Sequence, residues 1–154
     1  MKAVFQRVSR ASVSVDGNVI GEIDKGVMLL VGIAPTDTTH EADVLAQKVA
    51  GMRVFCDEND KMNLSVLDVG GSVLAVSQFT LCASTARGRR PDFFGAARPD
   101  VAKPLFDYFV TCLHDMGVND VQTGEFGADM KVRLLNDGPV TILLDTDTWK
   151  RSGK

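Results

Sequence analysis

Gly26-Val27-Met28-Leu29-Leu30-Val31-Gly32-Ile33 is apolar without a break, and Pro35 follows it closely. A half-exposed strand alternates polar and apolar residues, so a short unbroken apolar run reads as a strand covered on both faces. Proline has no N–H to give a ladder and ends the strand. The period then changes. Thr38-Thr39-His40-Glu41 has the form of a capping box, and Ala42, Leu45, Val49 and Met52 recur at three- and four-residue spacing. That spacing predicts a helix over 38–52 whose apolar face packs on sheet.

Toward the N-terminus, residues 2–8 read as a strand and Ser12-Val13-Ser14-Val15 alternates. Asp16-Gly17-Asn18 then turns the chain into Val19-Ile20-Gly21-Glu22-Ile23, a hairpin followed by a further strand. Toward the C-terminus, Arg53-Val54-Phe55-Cys56 is a short strand ending at the acidic turn Asp57-Glu58-Asn59-Asp60. This turn lacks the 12-residue ligand pattern of a calcium loop and reads as solvated. Val73-Leu74-Ala75-Val76 is a buried strand. A second helix is predicted from Pro99 to Met116, with proline in its first turn, Gly117 as cap, and Val101, Leu105, Tyr108, Cys112 and Met116 as its apolar stripe. Three strands complete the chain, at 119–124, 129–136 and 140–146, the last two joined by a Gly-Pro turn. The expected fold is a mixed α/β, sheet-rich domain spanning 1–154, with two packed sheets and two main helices on one side.

Composition narrows the function classes. A chain of 154 residues with 45% hydrophobic and 24% charged residues is ordinary for one globular domain, and no linker or repeat divides it. Val27-Met28-Leu29-Leu30-Val31 falls far short of the roughly 20 residues that span a bilayer. Lys2, Arg7 and Arg10 precede no signal-peptide core, so no membrane partner is expected and the cytoplasm is the expected location. Cys56, Cys82 and Cys112 are odd in number and form no C-x-x-C pair; they are expected to be reduced and buried. His40 and His114 each fall on a predicted helix in no ligand pattern and are assigned surface or helix-end roles. No metal and no cofactor is therefore expected.

Net charge is −3, from 17 basic and 20 acidic residues, which argues against a broad phosphate-binding surface. Basic residues gather locally instead: Arg87, Arg89, Arg90 and Arg98 around a Gly/Pro-containing loop, and Lys150, Arg151 and Lys154 in the tail. Each group reads either as solvated charge or as a patch sufficient for an enzyme that grips only the terminal nucleotides of an RNA.

Two segments carry candidate chemistry. Asn136-Asp137-Gly138-Pro139-Val140-Thr141 sets a Gly-Pro pair between two apolar runs. The pair reads either as an ordinary tight hairpin or as a rigid backbone wedge, since proline fixes φ and glycine lets neighbouring atoms approach. Ser77-Gln78-Phe79-Thr80-Leu81 closes the strand at 73–76 with two hydroxyls, an amide and an aromatic ring. Together these motifs resemble the two signatures of the D-aminoacyl-tRNA deacylases, and the likeness runs from Met1-Lys2-Ala3-Val4-Phe5-Gln6-Arg7-Val8 to Thr146.

The resemblance implies a three-layer β/β/α fold and a homodimer that hydrolyses the ester between a D-amino acid and the terminal adenosine of tRNA. Ester hydrolysis needs a nucleophile and stabilisation of a developing oxyanion. Backbone N–H groups near Phe79 and Thr80 are the expected oxyanion donors, with Ser77 and Gln78 holding the ribose or adenine side. Thr80 is a candidate nucleophile, but the motif contains no base for it. A positioned water assisted by the substrate's adjacent ribose hydroxyl is the favoured route. In the family the Gly138-Pro139 bond is cis and enters the partner subunit's active site, where it excludes L side chains. Glycyl-tRNA, with no side chain to exclude, is then a second expected substrate. Arg7 is expected to brace the wedge, with Asn136 and Thr141 in support.

Three other readings compete. A related animal deacylase edits an L-amino acid from tRNA, but its motifs differ around the phenylalanine and after the final threonine, where this chain has Phe79 and Ile142. A non-catalytic tRNA-end binding module would recognise without cleaving. A generic small esterase would need a G-x-S-x-G elbow or a Ser/His/Asp set, neither of which is evident.

Overall fold

The computed structural model describes residues 1–150; Arg151 and Lys154 of the basic tail lie outside the described residues. In chain order the elements are β1 (Lys2–Val15), β2 (Asn18–Ile23), β3 (Gly26–Gly32), α1 (Thr39–Gly51), β4 (Phe55–Cys56), β5 (Met62–Leu64), β6 (Ser72–Ser77), a 3₁₀ turn (Phe79–Cys82), α2 (Pro99–Asp115), β7 (Val121–Thr123), β8 (Lys131–Asp145) and a second 3₁₀ turn (Thr146–Trp149). Six strands form one sheet in the order β2-β1-β3-β6-β7, with β8 on the other edge of β1. β3, β6 and β7 are parallel to one another, and β1 is antiparallel to β2, β3 and β8. The mixed α/β fold class expected from the sequence is what forms.

The two β layers come from one sheet that folds over itself, and β1 shows how. Its inward residues Ala3 and Phe5 join the core beneath the helices, whereas Ala11 and Val13, also odd-numbered, join a second core with Val8, Ile23, Met28, Leu74 and Val76. Strand periodicity is two, so odd positions change face only if a residue is inserted or skipped. Val8, even-numbered, already lies on the second face, so the change falls between Val8 and Ala11, where β1 takes two residues from Val8↔Asn136 to Arg10↔Leu135 against one on β8. β1 therefore reads in sequence as two strands, 2–8 and 12–15, but runs as one bent strand.

β8 likewise corrects the expected hairpin. Both its halves pair antiparallel with β1, from Lys2↔Asp145 to Gln6↔Thr141 and then from Val8↔Asn136 to Ser14↔Lys131. A hairpin would reverse the chain; here the direction is kept. The Asp-Gly-Pro segment is an outward loop in a continuous strand, because the short stretch from Gln6 to Val8 on β1 faces the longer stretch from Asn136 to Thr141 on β8. Val132 and Leu134 pack on the second core and Val140 and Ile142 on the first, so the loop sits where β8 passes from one layer to the other.

The helices follow their patterns with one correction. Thr38 caps α1, accepting from His40 N through Oγ1, while Glu41 Oε2 accepts from Thr38 N at 2.7 Å and from Thr38 Oγ1 at 2.7 Å. On α2 the buried stripe is Ala102, Leu105, Phe106, Phe109, Cys112 and Leu113, whereas Val101 is exposed and Tyr108 reaches outward. The stripe is rotated because Tyr108 does not enter the core: its hydroxyl donates to Asp43 Oδ1 on α1 at 2.7 Å. That bond pushes the Tyr108 phenol up to about 12, with burial adding to the shift. Cys82 and Cys112 are buried and burial raises both thiols, but Cys56 is exposed, against expectation, because it lies on the outer face of a two-residue strand. The Met1 ammonium is buried, donating to Asp37 Oδ1 at 2.9 Å and to Thr146 Oγ1 at 2.6 Å. Among the described residues no helix is long and apolar enough to cross a membrane.

Candidate active site

β6 delivers the first motif to the surface. It runs buried through Val73-Leu74-Ala75-Val76 beside β3, and its last residue, Ser77, registers with Val31. Gln78 N still donates to Val31 O at 2.8 Å, and the chain then tightens into the 3₁₀ turn, held by Leu81 N to Gln78 O and Ala83 N to Thr80 O. The first N–H groups of such a turn, on Phe79 and Thr80, have no carbonyl within the turn to donate to, and neither donates to another backbone carbonyl among the described residues. The Gln78 amide nitrogen contacts Thr80 Oγ1 closely. No carboxylate or imidazole is a hydrogen-bond partner of Thr80 among the described residues, so its hydroxyl has no base.

Ser77, Gln78 and Phe79 line a cleft of about 580 Å³. Its other walls are Phe93, Ala97 and Arg98 ahead of α2, and Phe126 to Met130 ahead of β8. Phe79 is 56% exposed and packs edge to face on Phe93, with centroids 5.1 Å apart. Phe79 is therefore a wall of the cleft. Sequence reasoning missed Phe93, although its place next to Phe94 and beside three arginines was a signal; nothing in 126–130 marked those residues.

The second motif is a self-braced loop. Asn136 and Thr141 clamp its base: Asn136 Nδ2 donates to Thr141 Oγ1 at 2.8 Å, and Val140 N donates to Asn136 Oδ1 at 2.9 Å. Gln6 Nε2 adds a longer bond to Thr141 Oγ1, a contact the sequence did not suggest. Arg7 props the tip. Its Nε donates to Asp137 O at 3.0 Å and its Nη1 to Val54 O at 2.7 Å, so one guanidinium joins the loop to the segment before β4. Gly138-Pro139 is cis, with Gly138 at φ 129°. A Cβ at Gly138 would lie 2.8 Å from Arg7 Nη2 and 3.0 Å from Val140 Cγ2, so a side chain there collides with the brace. Asp137, Gly138 and Pro139 are all exposed.

Within one chain the two motifs stay apart. Thr141 pairs with Gln6 and Asn136 with Val8, near where Arg7 meets Val27 at one end of β3, whereas Ser77 meets Val31 toward the other end. Allowing for the strands between β8 and β6, ordinary strand spacings make the separation about 20 Å. His40 and His114 are exposed at the first turn of α1 and the last turn of α2, away from both motifs. Among the described residues no three His, Cys, Asp or Glu side chains cluster as metal ligands.

A family model described as D-Tyr-tRNA(Tyr) deacylase matches residues 4–145. A D-aminoacyl-tRNA deacylase of Koribacter versatilis is 56% identical over 146 residues, 95% of this chain and 97% of that one. Another from Brevibacillus brevis is 54% identical over 146 residues, 95% of this chain and all of its own length. A solved structure of a c-Myc DNA Unwinding Element Binding Protein superposes with a TM-score of 0.89 at 41% identity, covering 94% of this chain and 98% of the other.

Proposed function

This chain belongs to the D-Tyr-tRNA(Tyr) deacylase family, and we propose that it hydrolyses the ester of D-aminoacyl-tRNA to free D-amino acid and tRNA, acts on glycyl-tRNA as well, and rejects L-aminoacyl-tRNA. The observation that carries this reading is the Ser77–Leu81 motif at the end of β6, with Ser77, Gln78 and Phe79 in the wall of a cleft of about 580 Å³.

In this reading the terminal adenosine enters beside Phe79 and Phe93, with Ser77 and Gln78 on its ribose or adenine side. A water attacks the ester carbonyl, and the free N–H groups of Phe79 and Thr80 stabilise the oxyanion that forms. As the tetrahedral centre collapses, the ribose oxygen leaves and the neighbouring ribose hydroxyl relays the proton, because Thr80 lacks a base to make it a nucleophile. Selection comes from exclusion. Gly138-Pro139 of a second copy would fill the amino-acid end of the cleft with backbone, leaving room for a D side chain or none and blocking an L one. The separation of about 20 Å between the motifs in one chain supports a composite site in a homodimer, since one copy cannot bring its own loop to its own cleft. Such an enzyme works in the cytoplasm, where charged tRNA is used.

The test is the purified protein with D-tyrosyl-, glycyl- and L-tyrosyl-tRNA. The first two should be cleared and the third left intact; efficient release of L-tyrosine overturns selection by exclusion, and tight tRNA binding without turnover supports a binding module. Mixing Gly138→Ala, whose Cβ strikes Arg7, with Phe79→Ala should restore activity above either parent by assembling one intact site. A fully active monomer overturns the cross-subunit arrangement.

A further inference from the structure

Between the first 3₁₀ turn and α2 the chain builds an arm that the ester chemistry does not use. Ser84 N donates to Asp92 O at 2.9 Å and Asp92 N to Ser84 O at 3.0 Å, closing it with an isolated bridge. Thr85-Ala86-Arg87-Gly88-Arg89-Arg90-Pro91 runs between them, every residue exposed. At the tip Gly88 has φ +65°, and a Cβ built there meets nothing within 4 Å, so the tip stands in open solvent. Arg87, Arg89 and Arg90 take part in no ion pair among the described residues. On a molecule of net charge −3 they form a concentrated positive patch whose like charges repel and which no ion pair among the described residues neutralises.

An exposed aromatic stands beside this patch. Just past the bridge, Phe93 turns in to pack on Phe79, while the adjacent Phe94 is 91% exposed. A phenyl ring left in water next to unpaired guanidinium groups is the combination that holds single-stranded nucleic acid, bases stacking on the ring and phosphates meeting the charges. A paired stem presents no free base face, so the ring selects the unpaired end over the duplex.

We infer that this arm is the docking site for the single-stranded acceptor end of tRNA, with Phe94 stacking an unpaired base next to the terminal adenosine and Arg87, Arg89 and Arg90 meeting the phosphates behind it. The identity of that strand rests on the deacylase reading. Phe93 ties the base of the arm to the cleft wall, which puts the exposed Phe94 one residue from the cleft. From Asp92 to Gly88 the chain spans at most about 13 Å, so the arginines stay within a few nucleotides of Phe94. Contacts to phosphate position a strand without reading its sequence, so the arm adds affinity for any tRNA end.

The test separates docking from chemistry. Binding of uncharged tRNA is followed by fluorescence anisotropy between about 50 and 200 mM salt for the unmodified protein, the Arg87→Ala/Arg89→Ala/Arg90→Ala triple variant, the corresponding lysine triple, and Phe94→Ala. Losing three contacts to single-stranded phosphates should lower the log–log salt slope by about 2. The lysine triple should keep the slope, and Phe94→Ala should weaken binding about 5- to 100-fold with the slope unchanged. Hydrolysis is measured in parallel on D-tyrosyl-tRNA and on the D-tyrosyl ester of free adenosine, which lacks the upstream strand. The alanine variants should raise KM for the tRNA and change the adenosine ester less than twofold.

An unchanged salt slope in the alanine triple, an equal loss on the adenosine ester, or equal arm dependence for a blunt RNA duplex overturns the docking site. An unmodified protein that binds tRNA with the arm-dependent slope yet cleaves neither ester overturns the deacylase reading alone and supports the arm.

Discussion

Arg7→Ala removes the guanidinium that ties Asp137 of the Gly138-Pro139 loop to Val54, and its cost can be worked from the two ends of the guanidinium. The Arg7 side chain is 12% exposed. Its bond to Val54 O, at 2.7 Å beside a buried residue, comes from a charged donor and is worth about 1.5–3 kcal/mol, because water cannot easily take its place. The bond to Asp137 O lies at an exposed loop, where water substitutes, and adds under about 1 kcal/mol. The 3.9 Å approach to the Asp137 carboxylate, 61% exposed, adds almost nothing. Arg7→Ala should therefore cost about 2–4 kcal/mol, read as the shift of a urea unfolding midpoint at unchanged slope.

The functional consequence is larger than the stability loss. The loop keeps its Asn136–Thr141 base but loses the surface against which Gly138 rests, so preference for D-tyrosyl- over L-tyrosyl-tRNA should fall at least about tenfold in kcat/KM, on the order of 1.4 kcal/mol of discrimination. Arg7→Lys separates the two effects. An ammonium reaches one carbonyl where the guanidinium fork reaches two, so lysine should recover much of the Val54 contribution and little of the selectivity. A stability change within about 0.5 kcal/mol for Arg7→Ala, or destabilisation with an unaltered D-to-L ratio, would refute the bracing argument.

Thr80→Val should retain measurable hydrolysis, and quenched reactions should contain no acyl-enzyme; a covalent adduct at Thr80 by mass spectrometry would overturn the water mechanism. The capping box makes stability depend on acid. The Thr38 hydroxyl, ahead of the opposing effect of burial, holds Glu41 at about 2 against an ordinary 4.5. A lowered carboxylate pKa stabilises the folded state fully above the unfolded value, and that contribution is lost as pH falls through the folded one. Glu41→Gln should therefore be less stable than the unmodified protein at pH 6, and the gap should close between about pH 4.5 and 2; a constant gap would place the effect in packing. Asp37→Ala should cost about 3–5 kcal/mol in chemical unfolding, because it strands a buried ammonium; a loss below about 1 kcal/mol would refute that. Dialysis against a chelator should leave hydrolysis unchanged with tRNA folding controlled, and recovery of a lost rate on adding zinc or magnesium would count against the assignment.

Local pattern alone determined much of this molecule. The doubly covered strand at 26–33, the capped helix at 38–52 and the proline-led helix from Pro99 are written in apolar periodicity and in cap residues, which act within a few positions of themselves. The Ser77–Leu81 motif was legible as a strand end bearing polar groups, and the two motifs together carried the family likeness. What only tertiary structure decided depends on partners distant in sequence. The 136–141 segment has the residues of a hairpin turn, yet β1 takes both flanks in one direction, so it becomes a loop in a single strand. Bulges in β1 turn one strand through two cores, an event that no single window of alternation reveals. Tyr108 leaves the helix stripe because Asp43 on another helix offers its hydroxyl a bond. Phe79 and Phe93 form one wall, and Arg7 reaches Val54 and Asp137, only because the sheet brings these positions together. Periodicity records which face of an element is apolar, whereas a side chain's partner is set by the packing of the whole sheet and its helices.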